Sequence, residues 1–112
     1  LFAPLHAQLD QLVDLARQDS DEVAERIVTL GVPAEGLPHF IARNTRIKAI
    51  HSGFLSTQQI IEEVANRILN LVHGLRSAIQ ETGTSDPVSQ DLLIGIAAQW
   101  EKHLWMIQSQ QL

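Results

Sequence analysis

The chain has 112 residues, enough for a single domain and small enough that association with other chains would help stabilise it. Apolar residues make up 45% and charged residues 19%, which excludes a disordered chain, and no apolar run reaches the ~20 residues that span a bilayer. The formal net charge of −5, with only eight Lys and Arg, disfavours a broad nucleic-acid footprint on the body and suits attraction of cations, while the lack of cysteine excludes disulfides and thiolate metal sites.

The spacing predicts a first long helix from Phe2 to Gly31, entered through Leu1 to Pro4. Leu5, Leu9, Leu12, Leu15, Val23, Ile27 and Leu30 supply its apolar positions, and Gly31 sits where a C′ glycine belongs. The segment VPAEGLP then breaks the helix, and a short helix is expected around Leu37 to Arg43, with Pro38 at its start. Asn44 to Ser56 reads as a loop containing Gly53, long enough to suggest a role at a subunit contact. Ser56 or Thr57 can cap a second long helix running to about Thr82, with Ile60, Val64, Ile68, Leu71, Leu75 and Ile79 as its stripe, widened by Ile61 and Val72, and Gly83 as its stop. Asp86 as N-cap and Pro87 at N1 open a last helix, which carries Leu92, Leu93, Ile96, Trp100, Leu104 and Ile107 to the C-terminus. The expected class is all-α: three long helices and a short one in the connection.

Four residues of the first helix share a face. At about 100° per residue, His6, Asp10, Asp21 and Glu25 fall at roughly 0°, 40°, 60° and 100°. His6 and Asp10 are one turn apart, as are Asp21 and Glu25, so each pair can hold a cation. Asp10 and Asp21 are separated by about 16 Å of helix, too far for one ion with ligand distances of about 2.0–2.3 Å to take both pairs. Two copies running antiparallel about a two-fold axis would set His6 and Asp10 of one against Asp21 and Glu25 of the other, giving two shared sites per dimer. The plain alternative is a solvated helix face.

The segments LHAQLD, DEVAERIVTLG, QDLLIG and EKHLWM, in this order and spacing, resemble the Dps family of ferritin-like mini-ferritins, the DNA-binding proteins from starved cells. The resemblance covers nearly the whole chain, and its most specific part is L-H-x-x-x-D followed eleven residues later by D-E-x-A-E-R. It implies a ferritin-like four-helix bundle over residues 1–112 whose first helix, with one further ligand histidine, is missing from this chain by N-terminal truncation. A three-helix remnant would expose apolar surface on the second and third long helices. The resemblance further implies Fe2+ oxidised to Fe3+ at His6, Asp10, Asp21 and Glu25, with peroxide the family's usual oxidant. The Fe3+ would be stored as mineral in a hollow dodecamer, in the cytoplasm and at the nucleoid. Asp86 and Asp91 would line a cation pore, although Pro87 stands where relatives often have an acid; their alternative roles are helix cap and solvated side chain.

Two other functions stay open: DNA compaction through terminal tails, and a hydrolytic use of the same carboxylates. Glu62 and Glu63 lack the Glu-x-x-His spacing of a site inside the bundle. His39, His51, His73 and His103 have no second ligand at helical spacing. His73 and His103 are expected as core or interface histidines, Trp105 as packing, and Glu101 as the partner of a basic neighbour.

Overall fold

The computed structural model describes residues 2–110, and within them the chain is helical in four elements, each close to its predicted place. Leu1, the expected entry to the first helix, lies outside the described residues. The chain divides into two compact units, Leu1–Arg46 and Ile47–Leu112.

The first unit holds α1 (Phe2–Thr29) and α2 (Pro38–Asn44). Nothing interrupts α1: Pro4 stands in its first turn, where an N–H would have no helical acceptor. It ends in a Schellman motif, with Gly31 N–H donating to Val28 O (2.9 Å) and Val32 N–H to Ile27 O (3.2 Å). Gly31 takes φ +87° there, which a side chain would resist, so the C′ role read from the sequence is the observed one. The connection to α2 is irregular, and α2 starts at the proline that presets its first turn.

The second unit is an α3–α4 hairpin preceded by a fastened segment. Ser56 makes a full capping box: its Oγ accepts from Gln59 N–H (3.1 Å) while Gln59 Oε1 accepts from Ser56 N–H (2.8 Å). Helix α3 (Thr57–Ser85) buries Ile61, Ala65, Ile68 and Val72 at four- and three-residue steps, the stripe of an amphipathic helix. Helix α4 (Pro87–Gln108) buries Ile96, Ala97, Trp100, Leu104 and Ile107 among others, and stops before the C-terminus at the Ser109 cap. One residue turns the chain: Asp86, with a non-helical backbone (φ −153°, ψ 84°), is both the C-cap of α3 and the N-cap of α4.

Gly83 does not end α3, as the sequence suggested; the helix continues through it to Ser85. Its lack of a side chain serves a close approach instead. The Gln90 side chain crosses it to donate to Ile79 O (3.1 Å), and a Cβ at Gly83 would lie 2.9 Å from Gln90 Nε2. The hydroxyls of the last turn find acceptors on the helix itself, Thr82 Oγ1 donating to Ala78 O (2.8 Å) and Ser85 Oγ to Glu81 O (3.3 Å).

Trp105 differs from expectation as well. It is 66% exposed rather than packed, with Val88 and Ile94 of the same helix also exposed, whereas α3 exposes no large apolar side chain. The exposed large apolar side chains of the two long helices are thus on α4, while Ile60, Val64, Leu71, Leu75 and Ile79 of α3 are half-buried. Glu101 has a basic partner as expected, but across the hairpin: Arg76 Nε donates to Glu101 Oε2 (2.6 Å) and its second nitrogen to Oε1 (2.8 Å).

Candidate metal centre

The four predicted ligands are placed by α1 alone. Because that helix is unbroken, His6 and Asp10 meet within one turn, His6 Nδ1 lying 3.5 Å from Asp10 Oδ2, with side chains 61% and 69% exposed. At 3.5 Å the contact is too long for a good hydrogen bond. It suits a shared ion: two ligand atoms about 2.1 Å from one metal stand about 3.0 Å apart at right angles and about 3.4 Å at the tetrahedral angle. Asp21 and Glu25 are likewise exposed on α1, one turn apart. A hard carboxylate with an imidazole suits divalent iron, and added carboxylates favour its ferric product. Among the described residues no three His, Asp or Glu side chains converge on one point within the single chain.

The pore candidates separate. Asp86 is half-buried and engaged at the turn, where Oδ1 accepts from Ser89 N–H (3.3 Å) and Oδ2 from the Ser89 hydroxyl. Asp91 is exposed one turn further along α4.

Of the histidines set aside, His39 and His73 are exposed, so His73 is not a core residue. His103 is half-buried beside Trp100, with ring centroids 6.4 Å apart; its Nδ1 is buried without a hydrogen-bond partner among the described residues. His51 was uninformative in sequence yet has a clear role. Its Nδ1 lies 3.0 Å from Glu63 Oε1, and Arg67 lies 2.9 Å from Glu63 Oε2. Arg67 also donates to Ala49 O (2.8 Å) and Lys48 O (3.2 Å), fastening the segment before α3 onto that helix. Twelve positions separate His51 from Glu63, and eighteen or nineteen separate Arg67 from its carbonyl acceptors, beyond any helical pattern; Glu63 and Arg67 themselves stand four apart on one helix, a spacing legible in the sequence. Glu63, Glu62, His51, Gln59 and Leu55 line an open cleft of about 430 Å³. Glu63 is already committed there to an arginine and a histidine, which makes the cleft structural.

A ferritin-like domain model matches residues 1–111. The chain is 35% identical over 109 residues to the DNA protection during starvation protein of Mycolicibacterium smegmatis, covering 96% of this chain and 59% of that protein. It is 30% identical over 108 residues to the fine tangled pili major subunit of Haemophilus ducreyi, covering 96% and 57%. The chain thus spans less than two thirds of the length of these curated relatives. Among solved structures, Dps from Staphylococcus aureus superposes with a TM-score of 0.93 at 32% identity, covering 99% of this chain and 74% of that one. No helix among the described residues is long and apolar enough to cross a membrane. The chain belongs to the ferritin-like domain family, as a member of its Dps branch.

Proposed function

We propose that the protein oxidises Fe2+ at sites shared between two copies of the chain and stores the Fe3+ as mineral inside a closed, hollow oligomer, a dodecamer by family analogy. The observation that carries this reading is the layout of α1. Two exposed ligand pairs, one with its atoms 3.5 Å apart, lie on one face of an unbroken helix and too far apart to serve the same ion. His6 and Asp10 of one copy and Asp21 and Glu25 of its partner hold the iron, and Glu25 is best placed to bridge two ions. With peroxide as oxidant, two Fe2+ each give up one electron. One H2O2 takes both electrons and two protons and leaves as two waters. Asp91, with Asp86 beside it at the turn, draws Fe2+ toward an entry pore, although the cap role engages Asp86 first.

Relatives named for DNA protection fit this reading through removal of iron and peroxide. The net charge of −5 opposes contact of DNA with the body, and compaction of DNA would fall to basic tails. A pilus subunit among the relatives shows that family membership alone does not select a task. The ligand pattern on α1 is what favours iron, and no observation favours hydrolysis.

The test is complementation. His6→Ala and Asp21→Ala each remove half of every shared site, so each homo-oligomer should lose ferroxidation by at least about 100-fold. Co-assembled chains should recover activity, because each mixed pair has one complete site and one lacking both residues. Mixed assemblies as inactive as the single variants, with reassembly verified by mass, would overturn the pairing.

A further inference from the structure

The face that carries the ligands carries two more charges. Asp14 and Arg17 fall at roughly 80° and 20° around α1, inside the arc from His6 to Glu25 and midway between the two ligand pairs. Both are exposed. Three positions apart on one helix, they could meet within the chain. They do not: neither makes a hydrogen bond or ion pair among the described residues.

Their positions fit a partner. In an antiparallel pair of α1 helices whose two-fold axis passes between residues 15 and 16, position 6 comes beside 25, position 10 beside 21, and position 14 beside 17. The register that assembles each metal site therefore also sets an acid beside a base, twice, at its centre. Slipping one turn one way sets Asp14 against Asp21 and Asp10 against Glu25, acid on acid. Slipping one turn the other way sets Arg17 on Asp10 and takes up a ligand.

We propose that Asp14 and Arg17 form two reciprocal ion pairs across the two-fold axis of an α1–α1 contact, and that these pairs set the register in which the metal ligands meet. The inference rests on the shared-site reading and deepens it. Both are positioning residues: they act through the helix register and touch no iron. Like charges at the wrong register are what exclude alternatives, since exposed ion pairs are individually weak.

The test uses two full-length variants, Asp14→Arg and Arg17→Asp, produced separately and then co-assembled without iron. A homopair of the first variant brings four cations together at the axis, and a homopair of the second brings four anions. A heteropair places an Arg beside an Asp at both contacts. Native mass spectrometry with one chain isotope-labelled should show heteropairs at about ten times their statistical share at low salt, the preference falling as salt is added. A pair confined within one chain would give no preference, because each variant chain is broken internally whatever its partner. The chain carrying both Asp14→Arg and Arg17→Asp should pair with itself and keep wild-type helicity and ferroxidation, which checks that the changes are tolerated. Statistical mixing with ferroxidation intact would overturn the ion pairs and leave the shared site standing. Dominant heteropairs that oxidise no iron would leave the ion pairs standing and overturn the shared site.

Discussion

The α3–α4 hairpin and the α1–α2 unit meet their chemical needs in opposite ways. In the hairpin's unit most groups find partners within the chain: a buried apolar stripe on each helix, a capping box at Ser56, a shared cap at Asp86, and Arg67 and Arg76 each placed on a carboxylate. In the first unit, α2 buries no residue, and the ligand face of α1 stands exposed with Asp14, Arg17, Asp21 and Glu25. Exposed Val28, Leu30, Val32, Leu37, Phe40 and Ile41 follow in the same unit. The hairpin settles its core and most of its charges within the chain, although Val88, Ile94 and Trp105 of α4 stay exposed. An exposed face of ordered charges and apolar groups is what another molecule can use.

The largest test of this contrast substitutes a residue on each side. Ile107 has no exposed surface, so Ile107→Ala should destabilise the protein by about 2–5 kcal/mol in chemical denaturation, through lost transfer energy and a cavity. Glu25→Ala, on an exposed helix face, should change stability by no more than about 0.5 kcal/mol while abolishing iron oxidation in a stopped-flow assay. A large stability loss at Glu25 would mean that the residue is structural within the chain.

Next in size is the turn. Asp86→Ala removes the acceptor for Ser89 N–H and should lose about 0.5–2 kcal/mol. Asp91→Asn leaves that cap untouched, so it should keep the melting temperature and slow only iron uptake into the assembled shell. Equal uptake in Asp91→Asn and wild type would remove Asp91 from the entry route.

A smaller effect in the opposite direction is expected at Gly95. A Cβ there would meet nothing, and the residue is helical, so Gly95→Ala should stabilise the hairpin by about 0.5–1 kcal/mol. Gly83→Ala should gain less, because Gln90 must shift and its bond to Ile79 O is put at risk. Thermal melts of the two variants side by side would separate them.

The smallest effect is electrostatic. Hydrogen bonding from Arg76 holds the Glu101 carboxyl below its ordinary value, with desolvation opposing and the Arg76 charge assisting, and the same contact raises the Arg76 guanidinium. A depressed carboxyl stabilises the fold above its unfolded pKa, and that contribution is lost as pH falls through the folded value. Glu101→Gln should therefore melt slightly earlier than wild type at neutral pH. The difference should vanish once acid has protonated both the native and the unfolded carboxyl.

The sequence by itself determined the helices and the character of α1. Periodicity set the length of each element, and Gly31, Ser56, Asp86 and Pro87 set their ends, because caps and breakers act within a few residues of where they stand. Helix geometry likewise put His6 beside Asp10 and both ligand pairs on one face, since rise and twist per residue depend on nothing outside the helix. Tertiary structure alone decided what lies beyond that range. It made Gly83 a crossing point rather than a stop, placed Trp105 in solvent, and joined His51 to Glu63 and Arg67 to the Ala49 carbonyl. Those outcomes depend on which helix passes over which residue, and on where an irregular segment returns to the chain. Neither leaves a period in the sequence to be read.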